Sequence, residues 1–195
     1  MAERLSLETL DAAAELVHAA MPPTPQYAWP LLAERAGCDL WIKHENHTPI
    51  GAFKVRGGLV YMDWLKRNRP DCTGVITATR GNHGQSIGFA ARRHGLAATV
   101  LVPHGNSTEK NAAMRAFGVE LIEHGHDFQA AREEADRLAG ERGLHFLGPF
   151  NPVLRQGTAT YGLELLRALP DLDRVYVPIG MGSGLTGTIA ARDAL

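Results

Sequence analysis

From Gly74 onward the chain alternates short β-branched runs with helical runs at a spacing of about twenty residues, and few folds accommodate that rhythm. Residues 74–79 read as a strand, 82–94 as a helix closed by Gly95, and 97–102 as a second strand. A helix over 107–117, closed by Gly118, leads to a strand at 119–123. Asp127 then caps a helix with Phe128, Ala131, Ala135 and Leu138 on one face, and 144–147 supplies a fourth strand. Four strands joined by three helices predict a parallel sheet with right-handed crossovers. Residues 74–148 therefore form one compact α/β unit.

The flanks are less regular. Ser6 can cap a helix in which Leu7, Leu10, Ala14 and Val17 recur at helical spacing, and Pro22, Pro23 and Pro25 stop it. Pro30 suits the first turn of a short helix ended by Gly37, with a strand at 38–43. Lys54 precedes the helix-compatible run Leu59, Val60, Met62, Trp64 and Leu65, which ends in the polar segment 66–71. Residues 148–152 break the alternation with turn-forming types and mark a boundary. Beyond them a helix over 158–169 precedes a strand at 174–179, a glycine-rich loop at 180–187, and a helix barely formed when the chain stops. A last strand without sheet neighbours reads as part of a longer protein.

Composition removes several function classes. The 195 residues carry a net charge of −1 and a pI near 6.8, and their sixteen arginines and four lysines are scattered, so no basic field for nucleic acid or an anionic membrane exists. Cys38 and Cys72 are too isolated for a disulfide framework or a thiolate metal site. His44 with His47 and His124 with His126 do not fit a helical zinc spacing, so no metal is expected. The N-terminus is acidic where a secretory signal is basic, and no apolar run is of membrane-spanning length, which makes the cytoplasm the expected location.

Three stretches concentrate chemistry. In 180–187 a strand, a glycine-rich turn and a helix start would bring bare backbone N–H groups and the positive helix end toward one point, which suits a phosphate. Gly182, Gly184 and Gly187 also fit the dinucleotide spacing G-x-G-x-x-G, and a simple packing turn would explain them too. The run 77–86, at the carboxyl end of the first regular strand, holds hydroxyl, guanidinium, amide and imidazole groups together, as an anion or carboxylate pocket would; a capped helix start accounts for only one of them. Lys54 is flanked by Gly51, Gly57 and Gly58 at a helix start, where partial burial favours the neutral, nucleophilic amine. A stem covering the helix end with its ammonium in water is the plainer alternative.

Taken together, Gly51-Ala-Phe-Lys54-Val-Arg-Gly57, Thr79-Arg-Gly-Asn-His-Gly-Gln85, Gln156-Gly-Thr158 and Gly180-Met-Gly-Ser-Gly184-Leu185 resemble the threonine/serine dehydratase family over residues 22–195. These are fold-type II enzymes that use pyridoxal 5′-phosphate (PLP). The resemblance implies two open parallel-sheet α/β domains, a larger one from 1–70 and 151–195 with its C-terminal part missing, and a smaller one over 74–148. It implies that Lys54 holds PLP covalently and moves the substrate Cα proton, that Phe53 packs against the ring, and that Asn82 bonds the phenolic oxygen. The backbone of Gly180, Met181, Gly182, Ser183 and Gly184 would hold the phosphate. Thr79, Arg80, Gly81, Asn82 and His83 would form the substrate segment, with Thr79, Asn82 and His83 gripping the α-carboxylate. The implied reaction converts a β-hydroxy amino acid such as threonine or serine to a 2-oxo acid and ammonia, in a homodimer.

Arg80 departs from the family pattern, because the position before Gly81 is usually small and in serine racemases is a serine that acts as the opposite-face base. An arginine stays protonated and cannot take that role, so no efficient racemisation is expected. Arg80 either receives a second substrate carboxylate, as in a 3-hydroxyaspartate, or pairs with an acidic neighbour. Within the same fold β-replacement is an alternative, against which the Gly81-Asn82-His83-Gly84 run argues. A dinucleotide-binding dehydrogenase domain and an inactive, truncated binding module are the readings from other classes.

Overall fold

The computed structural model describes residues 4–195. Helix α1 (Leu7–His18) starts where the Ser6 side chain accepts from the Thr9 backbone N–H. Strand β1 (Gln26–Ala28), helix α2 (Pro30–Ala36) and strand β2 (Trp41–Lys43) follow, with β1 and β2 paired antiparallel. Helix α3 is Lys54–Asn68, and the regular unit contains β3 (Gly74–Ala78), α4 (Asn82–Arg93), β4 (Ala97–Val102), α5 (Thr108–Ala116), β5 (Glu120–Glu123), α6 (Phe128–Arg142) and β6 (His145–Phe146). Helices α7 (Pro152–Ala168) and α8 (Ser183–Ala194) complete the chain. None of the described helices is long and apolar enough to cross a membrane.

The four strands form one parallel sheet in the order β5-β4-β3-β6, as the alternation predicts. Every residue of β3 is buried, which is what a central parallel strand covered on both faces requires. Its alternate side chains enter different cores: Val75 packs with Ile87 and Ala90 of α4, whereas Ile76 and Ala78 pack with Ala131 and Ala135 of α6. The chain runs outward through β4 and β5 and then returns to place β6 on the other side of β3. The carboxyl end of β3 is thus the topological switch point, where open α/β sheets leave a crevice.

Helices α4, α3, α7 and α8 stack in that order beside the sheet, and the crossings are unusually close because glycines occupy them. A Cβ on Gly57 of α3 would lie 2.8 Å from the Leu154 carbonyl oxygen of α7, and one on Gly157 would collide with the Arg56 backbone. A Cβ on Gly187 of α8 would lie 3.0 Å from the Ala159 backbone nitrogen. Residue Arg56 is wholly buried at the centre of this stack. It donates to Glu45 at 2.8 and 2.9 Å, to Glu164 at 2.6 and 3.0 Å, and to Thr160 and Thr24. Burial alone would raise the Glu164 carboxyl, but Arg56, with His18 and Lys43, brings it down to about 2.

Three expectations change. The strand at 174–179 is not formed: no strand among the described residues lies beside it, so only one parallel sheet is present here, and Tyr176 and Ile179 stand exposed on extended chain. The helix expected over 158–169 begins at Pro152, because the Asn151 side chain caps the Val153 N–H at 2.8 Å and proline suits the first helical position. The last helix is a full twelve residues and starts at Ser183, inside the glycine loop.

Candidate active site

Lys54 is the first residue of α3, and Phe53 is its N-cap. Both are half-buried, with Lys54 Nζ 5.3 Å from the Phe53 ring centroid. Burial lowers the Lys54 pKa below the usual lysine value, and the positive end of α3 works in the same direction. The Lys54 carbonyl accepts from Ser86 Oγ at 2.6 Å, which ties the start of α3 to the first turn and a half of α4.

The loop after β3 places the other predicted residues. Thr79 is buried and its Oγ1 accepts the Gly81 N–H at 3.1 Å, while Gly81 caps α4 with the Lys110 stem against it. Asn82 opens α4 on an exposed position. Arg80 is exposed and makes no ion pair within 4.0 Å among the described residues; its charge acts on Asp127. His83 is 5% exposed, and its Nε2 has no hydrogen-bond partner among the described residues. Burial, then the Lys54 charge, push its pKa down to about 3, against a backbone hydrogen bond with Leu147. The ring is therefore neutral, with one buried nitrogen left over for a ligand and Lys54 within electrostatic reach.

The glycine loop meets this group from the other side. Gly182 has φ 90° and caps α8, Ser183 and Gly184 are buried in the first turn, and Gly180 and Met181 are exposed. The first intrahelical bond runs from Thr186 N to Gly182 O, so the N–H groups of Ser183, Gly184 and Leu185 point out of the helix without an intrahelical acceptor. A Cβ on Gly184 would lie 3.1 Å from Tyr161 Oη, 3.3 Å from Val177 Cγ1 and 3.5 Å from Phe53 Cζ. A side chain here would push the aromatic wall back by a few tenths of an ångström, so glycine keeps the positive end of α8 close to it.

The fold thus brings Lys54 and the Gly184 turn to the Phe53 ring, with His83 within electrostatic reach of Lys54, whereas the Arg80 and Met181 side chains lie on exposed loop positions. Gln156, part of a motif in the sequence, faces a cleft of about 470 Å³ lined by Trp64, Asp63 and residues of α1. The dinucleotide spacing loses its context, since no strand precedes the loop and Gly187 packs on α7.

A family model described as "Pyridoxal-phosphate dependent enzyme" matches residues 17–194. The chain belongs to that family. Among its relatives, the L-threonine ammonia-lyase of Geobacter sulfurreducens is 40% identical over 159 residues, which are 81% of this chain and 39% of that one. The biosynthetic L-threonine dehydratase of Haemophilus influenzae is 35% identical over 175 residues, 89% of this chain and 34% of its own. In structure, a pyridoxal 5′-phosphate-dependent aspartate racemase superposes with a TM-score of 0.92 at 27% identity, over 97% of this chain and 59% of that chain. The chain therefore spans well under half the length of these curated relatives. Its neighbours in structure are fold-type II enzymes, so the expected fold class holds.

The residues fit the family's cofactor on one observation, the close approach of the α8 start to the ring wall, which suits a phosphate beside an aromatic ring. Two contributors escape the sequence reading. Tyr161 lies within the expected helix 158–169 and gives no separate signal. For Arg56 a signal exists, an arginine between Val55 and Leu59 on an apolar helix, but its partner Glu164 lies 108 residues away.

Proposed function

We propose that this chain carries the lysine and phosphate half of a PLP-dependent ammonia-lyase acting on a β-hydroxy amino acid such as threonine or serine. The observation that carries the reading is a half-buried amine with a lowered pKa, one aromatic ring away from the free N–H groups of α8. When bound, PLP supplies the electron sink for loss of the substrate Cα proton. Lys54 Nζ is the amine that would hold PLP through its aldehyde carbon, and the same nitrogen is placed to take that proton. Its neutral form is favoured because burial disfavours the ammonium.

The other residues bind and orient. Phe53 packs against the pyridine ring, and Asn82 bonds the phenolic oxygen. The N–H groups of Ser183, Gly184 and Leu185, with the Gly180 to Gly182 backbone before them, hold the phosphate. Thr79, Gly81 and Asn82 receive the α-carboxylate at the start of α4, where backbone N–H groups and the helix dipole favour an anion, while the free nitrogen of the neutral His83 ring beside them accepts from a ligand donor. Arg80 beside them, exposed and without an ion pair among the described residues, would receive a second carboxylate where the substrate is a 3-hydroxyaspartate. The names of the threonine ammonia-lyase and dehydratase relatives support this substrate class over others of the fold.

Borohydride reduction tests the core of the reading. Incubation with PLP should give a visible band that reduction abolishes, with the cofactor mass on the peptide containing Lys54. Lys54→Ala should lose the band. Cofactor trapped on Lys43, Lys66 or Lys110 instead would reject Lys54 as the centre.

A further inference from the structure

We infer that Tyr161 is a positioning residue for the phosphate end of the cofactor, locking the first turn of α8 so that the site discriminates a phosphorylated aldehyde from the same aldehyde without phosphate. This rests on the cofactor reading above and adds to it a residue on α7 that bonds the start of α8.

Tyr161 sits on α7 with 7% of its surface exposed, and it reaches both ends of the site. Its ring packs edge-on to Phe53 with centroids 5.7 Å apart, and Phe53 in turn lies beside Lys54 Nζ. The hydroxyl Oη donates to the Gly184 carbonyl oxygen at 2.9 Å, and Thr188 Oγ1 lies 3.0 Å from both of these atoms. Burial raises the phenol pKa, so Oη keeps its proton and stays a donor across the working range.

The consequence follows from peptide geometry. The Gly184 carbonyl and the Leu185 N–H belong to one planar trans peptide unit and point in opposite directions. Fixing the carbonyl toward α7 therefore aims the Leu185 N–H out of the helix start. Leu185 contributes one of the three free N–H groups there, and the segment leading to it holds Gly180, Gly182 and Gly184, which have no side chain of their own to narrow the backbone. Without an anchor, aligning those donors on an anion would cost conformational entropy at each binding event. The Tyr161 and Thr188 hydroxyls supply the anchor before the ligand arrives.

The test is Tyr161→Phe, which keeps the ring on Phe53 and deletes only Oη. Apparent affinities for PLP and for pyridoxal are measured by spectral titration, with borohydride trapping at Lys54 as the check on site, and thermal unfolding confirms the fold. PLP affinity should fall about 3- to 10-fold, the worth of one neutral hydrogen bond, while pyridoxal affinity stays unchanged. Inorganic phosphate should likewise become a weaker competitor of PLP. An equal loss for PLP and pyridoxal, or no loss for either, overturns the inference while leaving Lys54 as the cofactor site. Absence of any Lys54 adduct in the wild type overturns the cofactor reading and this inference with it. If Tyr161→Phe fails to fold, Thr188→Val takes its place, and an unchanged ratio of PLP to pyridoxal affinity there overturns the inference.

Discussion

Acidification from pH 7.5 to pH 5 should remove about 2 kcal/mol of stability through His83 alone. In the unfolded chain its imidazole titrates at the ordinary 6.5, and in the folded protein at about 3, because burial and then the Lys54 charge oppose protonation. At pH 5 the unfolded ring is about 97% protonated and the folded ring about 1%. The unfolded state thus binds nearly one more proton, so the stabilisation is complete above pH 6.5 and is lost as pH falls toward 3. Urea denaturation of the wild type and of His83→Leu, at both pH values, isolates the term. His94 and His145, which burial also lowers, contribute equally to the two proteins. The wild type should lose about 2 kcal/mol more than the variant over this range. Slopes that agree within about 0.5 kcal/mol would mean that His83 is not buried and neutral, and the argument for its free nitrogen would fail.

Arg56→Met should destabilise the protein by about 3 to 5 kcal/mol, since Glu45 and Glu164 would remain with less than their present compensation; a loss under about 1 kcal/mol in urea titration would show that the network is solvated. In a full enzyme, Arg80→Ala should reduce turnover of a 3-hydroxyaspartate more than that of threonine, and equal changes would sink the second-carboxylate role.

The parallel sheet was legible because its signals are local: each strand and helix of 74–148 is announced by periodicity and closed by Gly95, Gly118 or Gly143 at positive φ. Lys54 and the two loops were legible as motifs, since glycine spacing and a dense polar run are also local. The strand at 174–179 failed for the opposite reason. Its β-branched and aromatic residues state a propensity, but a strand exists only with a neighbour, and none of the described strands provides one. The start of α7 failed at Pro152, where proline as a breaker and proline as a first helical residue look the same until the Asn151 side chain is seen to cap the turn. Tyr161 and the pairing of Arg56 with Glu164 were invisible because their contacts span 23 and 108 residues, and nothing in the local pattern records that separation.

The glycine crossings of the helix stack have a consequence for how the protein tolerates change. At Gly57, Gly157 and Gly187 the helices meet backbone to backbone, so the offset between the start of α3 and the start of α8 is set by main-chain thickness rather than by rotamers. Ordinary drift among the aliphatic residues of the core can therefore alter stability while the span between amine and anion cradle stays fixed. Substitutions at the three glycines are the ones that change the gauge itself.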